Sequence, residues 1–137
     1  MAATWGAGLF QDDLATDFAA QITDSTDSNG LAVIGGALAA AGQASGHLLY
    51  EFAIRALISA EVLAALGGQP AKAMPPELRD WVAAHRGEAI PDALWPLARA
   101  AVERVKEDSE VSELWARSDG FARGIGKVDG LLGRLGG

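Results

Sequence analysis

The chain has 137 residues, 50% of them hydrophobic and 21% charged, a globular composition of one-domain size. Its net charge of −7 disfavours nucleic-acid binding, which needs Lys and Arg against phosphate. It has no Cys, so disulfides, thiolate chemistry and Cys-ligated metals are excluded.

The opening MAATWGAGLFQDD lacks both a basic and an apolar signal region, which predicts a cytoplasmic rather than secreted protein. Residues 1–11 read as an extended arm anchored by Trp5, Leu9 and Phe10, with Gly6 and Gly8 free to turn. A first helix is predicted over Asp12–Ile22, its apolar face set by Leu14, Phe18 and Ile22. A polar loop, TDSTDSNG, follows. Residues 1–30 hold five Asp and no Lys or Arg, so this end is the acidic one.

A second helix is expected over Gly30–Gly42, capped by Ser28 or Asn29, with Gly35 and Gly36 allowing another helix to approach. The charge-free run Ser28–Tyr50 is too rich in Gly and Ala, and too broken by Gln43, Ser45 and His47, for a membrane span. His47–Leu66 is the organising stretch. Apart from a stripe of His47, Glu51, Arg55 and Ser59, it is apolar almost all round, so it must be covered on most sides. Gly67-Gly68 and Pro70 stop it. Pro75-Pro76 opens a fourth helix carrying Leu78, Trp81 and Val82, and Pro91 a fifth with Leu94, Ala98, Ala101, Val102 and Val105 inward. Ser109 or Asp108 caps a sixth. Residues 118–137 form a Gly-rich segment whose apolar positions keep helical period, which predicts a helix there although five glycines oppose it. The expected fold is all-α: a single domain, 1–137, built as a bundle of about five to six helices around a central apolar helix with an irregular N-terminal arm.

The residues W-G-A-G-L-F-Q-D-D-L-A-T-D-F resemble the opening signature W-G-x-G-x-F-x-N/D-D-x-A-x-D-W/F of the bacterial domain-of-unknown-function 4259 family. Three further segments look like the same family: A-L-I-S-A-E-V-L-A-A-L-G-G-Q-P, M-P-P-E-L-R-D-W-V-A-A-H and D-S-E-V-S-E-L-W. Asp12 stands where Asn is usual, and Phe18 where Trp is frequent. The resemblance covers about residues 4–135. It implies a bacterial, cytoplasmic, all-helical domain and supplies no activity.

Asp13 and Asp17 lie one turn apart. They read either as a carboxylate pair for a cation or a basic partner, or as a structural motif. In the motif, Trp5, Gly6, Phe10, Asp13 and Asp17 tie the arm to the first helix, with Asp17 accepting backbone N–H groups of residues 5–9. Glu61, near the edge of the apolar face, needs a partner if buried, such as a Trp indole, an Arg or the arm. Glu51 and Arg55 suit an i, i+4 ion pair. No nucleophile elbow, Walker loop or dinucleotide fingerprint occurs, and no cofactor, catalytic residue or metal site is expected. The expectation is therefore a small acidic binding module, of the kind exemplified by immunity proteins that neutralise a toxin. Its acidic face would comprise Asp12, Asp13, Asp17, Asp24 and Asp27, and its partner would be a basic protein, neither nucleic acid nor membrane. The alternative is a small metal-dependent hydrolase-like enzyme using His47, Glu51, Glu61 and His85, which requires those four side chains to converge.

Overall fold

A computed structural model describes residues 13–24, 29–44, 46–71, 74–87, 89–117 and 121–135, with backbone alone at 29, 115 and 121–125. Among these are seven helices: α1 (Asp13–Thr23), α2 (Asn29–Gly42), α3 (Tyr50–Leu66), α4 (Pro76–His85), α5 (Leu94–Glu107), α6 (Glu110–Ala116) and α7 (Phe121–Arg134). The fold is all-α, as its apolar periodicity requires, with one helix more than the expected five to six. None of the helices is long and apolar enough to cross a membrane.

The core is built on α3. From Ala56 to Leu66 every residue is buried, and the helix packs against all six others. A helix apolar on every side is stable in water only when enclosed in this way. Its C-terminus is a Schellman turn: Gly68 takes φ +94°, its N–H reaches the Ala65 carbonyl at 2.9 Å, and Gln69 N–H reaches Ala64 at 2.9 Å. Gly67 is required for a different reason, since a Cβ there would meet the Trp95 ring at 2.9 Å.

The other end of α3 differs from expectation. The helix begins at Tyr50, not His47, because Gly46 turns the chain with φ +82° and residues 46–49 leave the helix. Leu48 instead pairs with the α5–α6 junction: its N–H donates to the Asp108 carbonyl (3.0 Å) and its carbonyl accepts the Glu110 N–H (2.9 Å). Leu49 makes no side-chain cap, and the Glu110 carboxylate supplies one from afar, accepting the Tyr50 N–H at 2.6 Å. A carboxylate is favoured at this positive end of the helix dipole.

Ser109 caps α6. Its hydroxyl accepts the Ser112 N–H (3.1 Å) while the Ser112 hydroxyl accepts the Ser109 N–H (3.2 Å), a reciprocal capping arrangement. Pro96 lies in the first turn of α5, where an amide N–H would have no helical partner. In α7, Gly126, Gly130 and Gly133 meet no other described residue, while Val128 and Leu131, and Leu135 just beyond the helix, are buried. About 1 kcal/mol lost per glycine is outweighed by about 1.5–3 kcal/mol per buried side chain. Lys106 of α5 pins α7 through Asp129 at 2.7 Å, a contact that raises the lysine pKa.

Candidate functional site

At 3.6 residues per turn, Asp13, Asp17 and Asp24 fall within about 40° of one another around the axis of α1. All three are exposed. They form an acidic ridge on the side of α1 turned away from buried Ala15, Phe18 and Ile22. The first 54 residues hold six carboxylates and no Lys or Arg, and the remaining 83 hold twelve and eleven, so the negative charge is concentrated where α1 lies. Asp12, Asp27, Trp5, Gly6 and Phe10 lie outside the described residues, and so do the bonds expected from Asp13 and Asp17 to residues 5–9.

A groove runs along each flank of the ridge. One, about 290 Å³, lies between α1 and the start of α4, lined by Thr16, Ala19, Ala20, Thr23, Glu77 and Leu78. The other, about 300 Å³, lies between α1, α2 and α3. Phe18 and Gln21 form one wall, Phe52 and Arg55 the other, and Ala32, Val33, Gly36, Ala37 and Ala40 the floor. Arg55 sits over the Phe52 ring at 5.8 Å and pairs with Glu51 at 3.3 Å, the i, i+4 ion pair expected.

The glycines of α2 divide sharply. Gly35 faces Leu94 of α5, where a Cβ would sit at 3.4 Å, and Gly42 faces Leu97 at 3.3 Å and the Ala101 backbone at 3.5 Å. Of the Gly35-Gly36 pair expected to admit another helix, only Gly35 faces α5, and Gly42 faces it as well. Gly36 has no described residue within 4 Å of its Cβ position and opens into the second groove. A helix-interior glycine costs up to about 1 kcal/mol relative to Ala, and at Gly36 no contact among the described residues accounts for it.

The four residues of the metal-enzyme alternative are not brought together. Glu61, 1% exposed, is held by Arg134 of α7 in a two-pronged ion pair, Nη1–Oε1 2.8 Å and Nη2–Oε2 3.2 Å. This is the Arg partner anticipated for a buried Glu61; a second contact runs from Arg134 Nη1 to the Gln69 carbonyl (3.2 Å). Glu51 is ten residues away on the same helix, about 15 Å at 1.5 Å per residue. His85 Nδ1 lies 2.8 Å from the Trp81 carbonyl, and its ring stacks on Trp81 at 4.1 Å. His47, outside the helix, has lost the i, i+4 register with Glu51. Its Nδ1 meets Asp108 at 2.6 Å and its Nε2 meets Glu113 at 3.1 Å. These carboxylates, Asp108 first, raise the His47 pKa against a smaller opposing cost of desolvation. Among the described residues, no group of three or more His, Asp or Glu is arranged to hold a metal ion. Ser59, last of the expected polar stripe, is fully buried, with its hydroxyl unpartnered among the described residues.

Sequence reasoning did not single out Arg134, Glu110 or Glu113, and it saw Asp108 only as a possible cap. Their partners lie 60 to 73 positions away, beyond any local pattern.

A family model described as "Domain of unknown function (DUF4259)" matches residues 3–124. The chain belongs to this family. The matched span runs from the N-terminal signature into the start of α7, so Glu61 lies inside it and Arg134 beyond it. No curated protein and no solved structure matches the chain.

Proposed function

We propose that the protein is a small, acidic, non-enzymatic binding module of the bacterial cytoplasm. It docks a basic protein over the α1 ridge and the groove floored by Gly36, as an immunity protein covers and neutralises a toxin domain. The observation that carries this reading is Gly36. Its missing side chain serves no contact among the described residues, yet it deepens a groove beside three aligned carboxylates. A glycine there admits the backbone or a side chain of a partner to the floor, with Phe18 and Phe52 as apolar walls. Exposed carboxylates on the rim act mainly on encounter: they steer a cationic partner, and the attraction weakens with salt because the Debye length is about 8 Å at physiological ionic strength.

The test compares two tagged baits in extract of the native host, the wild-type chain and an Asp13→Lys, Asp17→Lys, Asp24→Lys variant. All three positions are exposed, so the variant is expected to keep the wild-type helical circular-dichroism signal and Tm. Wild type should retain one basic protein in stoichiometric amount at low salt, and the variant should lose at least tenfold of it. Equal retention by both baits, or no basic protein on wild type, refutes the reading.

A further inference from the structure

We propose that His47, clamped between Asp108 and Glu113, is a pH-released latch that fastens the α2–α3 connection to the α5–α6 junction. This stands apart from the docking face and uses no residue of it. A neutral imidazole has one N–H and one lone pair, whichever tautomer it adopts. Here both ring nitrogens lie at hydrogen-bonding distance from carboxylate oxygens, 2.6 Å to Asp108 and 3.1 Å to Glu113. Carboxylates only accept, so only the doubly protonated ring satisfies both. When it loses a proton, one nitrogen lone pair must face an anion. The shorter Asp108 contact keeps the remaining N–H, and the Glu113 side, which belongs to α6, is released.

The other charged groups around the latch do not replace the lost proton. The Arg104 guanidinium donates to the Gly46 carbonyl. The Glu110 carboxylate is occupied by the Tyr50 N–H, and Glu51 is turned toward Arg55. Deprotonated His47 therefore leaves Asp108, Glu110 and Glu113 close together with Arg104 as the nearby cation. The backbone bonds spanning this seam, Leu48 N–H to Asp108 and Glu110 N–H to Leu48, lie under the latch and report its state. Direction follows from linkage: the imidazolium belongs to the folded chain, so the latch is closed below the His47 midpoint while its two carboxylates stay ionised, and opens as pH rises through the His47 titration.

The chain has two histidines, so His85→Gln leaves His47 as the single imidazole for an NMR titration of the full-length protein. The midpoint should lie above the ordinary 6.5. Asp108→Asn should lower it more than Glu113→Gln, following the shorter contact. Amide exchange at Leu48 and Glu110, corrected for intrinsic base catalysis, should accelerate across the same midpoint, and in His47→Gln it should show no such step. Should His47→Gln fail to fold, Asp108→Asn serves in its place, with the step moved to its lower midpoint. A midpoint at or below 6.5 overturns the latch. Exchange that stays level across the midpoint does so too, because it would leave an ion pair that holds nothing.

Discussion

The two ends of α3 are both fastened by ions to the C-terminal half of the chain, in opposite surroundings. At the C-terminal end Glu61, 1% exposed, meets Arg134, a quarter exposed, in a two-pronged pair anchored further by the Gln69 carbonyl. At the N-terminal end His47 meets Asp108 and Glu113 with every side chain substantially exposed. Water screens the second cluster, so its contribution is small and depends on pH and salt. Around the first there is little water to take over if one partner is lost, so breaking it is costly even if the intact pair adds little over an apolar substitute. One end holds α7 onto the core; the other adjusts how a loop sits on a junction.

Breaking the buried end should have the largest effect. Arg134→Met leaves the Glu61 carboxylate buried and alone and should cost about 3 kcal/mol, the lower part of the range for buried pairs because Arg134 is partly exposed. Urea unfolding should show it as a lower midpoint. The double variant Glu61→Met, Arg134→Met should recover most of the loss, which separates the penalty of an orphaned charge from the worth of the pair.

An intermediate effect tests the same end without touching charge. Gly68→Ala places a side chain at φ +94° in the Schellman turn and should cost about 1–2 kcal/mol, the penalty for a left-handed residue. Thermal unfolding would register it, and a loss equal to that of Arg134→Met would mean that the turn, rather than the ion pair, holds this end.

The exposed end should give the smallest change, and one that depends on pH. His47 has a raised pKa in the folded state, chiefly from Asp108. The stability it adds is therefore fully present below the unfolded value near 6.5 and disappears as pH rises through the folded value. Wild type and His47→Gln should differ in denaturant midpoint at pH 6 and converge in alkaline buffer. A difference that widens with pH would reverse the assignment.

How much of this was legible in the sequence follows the range of each interaction. The Gly67-Gly68 stop, the Pro75-Pro76 start and the enclosure of the central helix were readable from the local pattern, and the cap of α6 was narrowed to Asp108 or Ser109. The start of α3 was misplaced by three residues because hydrophobic periodicity continues through Leu48 and Leu49, while Gly46 and the pairing of Leu48 with Asp108 and Glu110 take them out of the helix. That error created the false i, i+4 register of His47 and Glu51. Glu61 could be recognised as a carboxylate needing a partner, and an Arg was one option, but nothing local selects Arg134 over ten other basic residues. Gly35 and Gly36 look alike in sequence. Consecutive helical residues point about 100° apart, so one meets α5 and the other an open groove.

The central claim is that this groove is kept open for a partner rather than for the fold, and Gly36→Ala tests it most directly. An added Cβ meets nothing among the described residues, and the exchange removes a helix-interior glycine, so Tm should rise, by up to about 1 kcal/mol in stability. In the same host-extract capture, recovery of the basic partner should fall. Greater stability together with weaker binding is the predicted result. Undiminished capture by the stabilised variant, or a fall in Tm, would contradict the account.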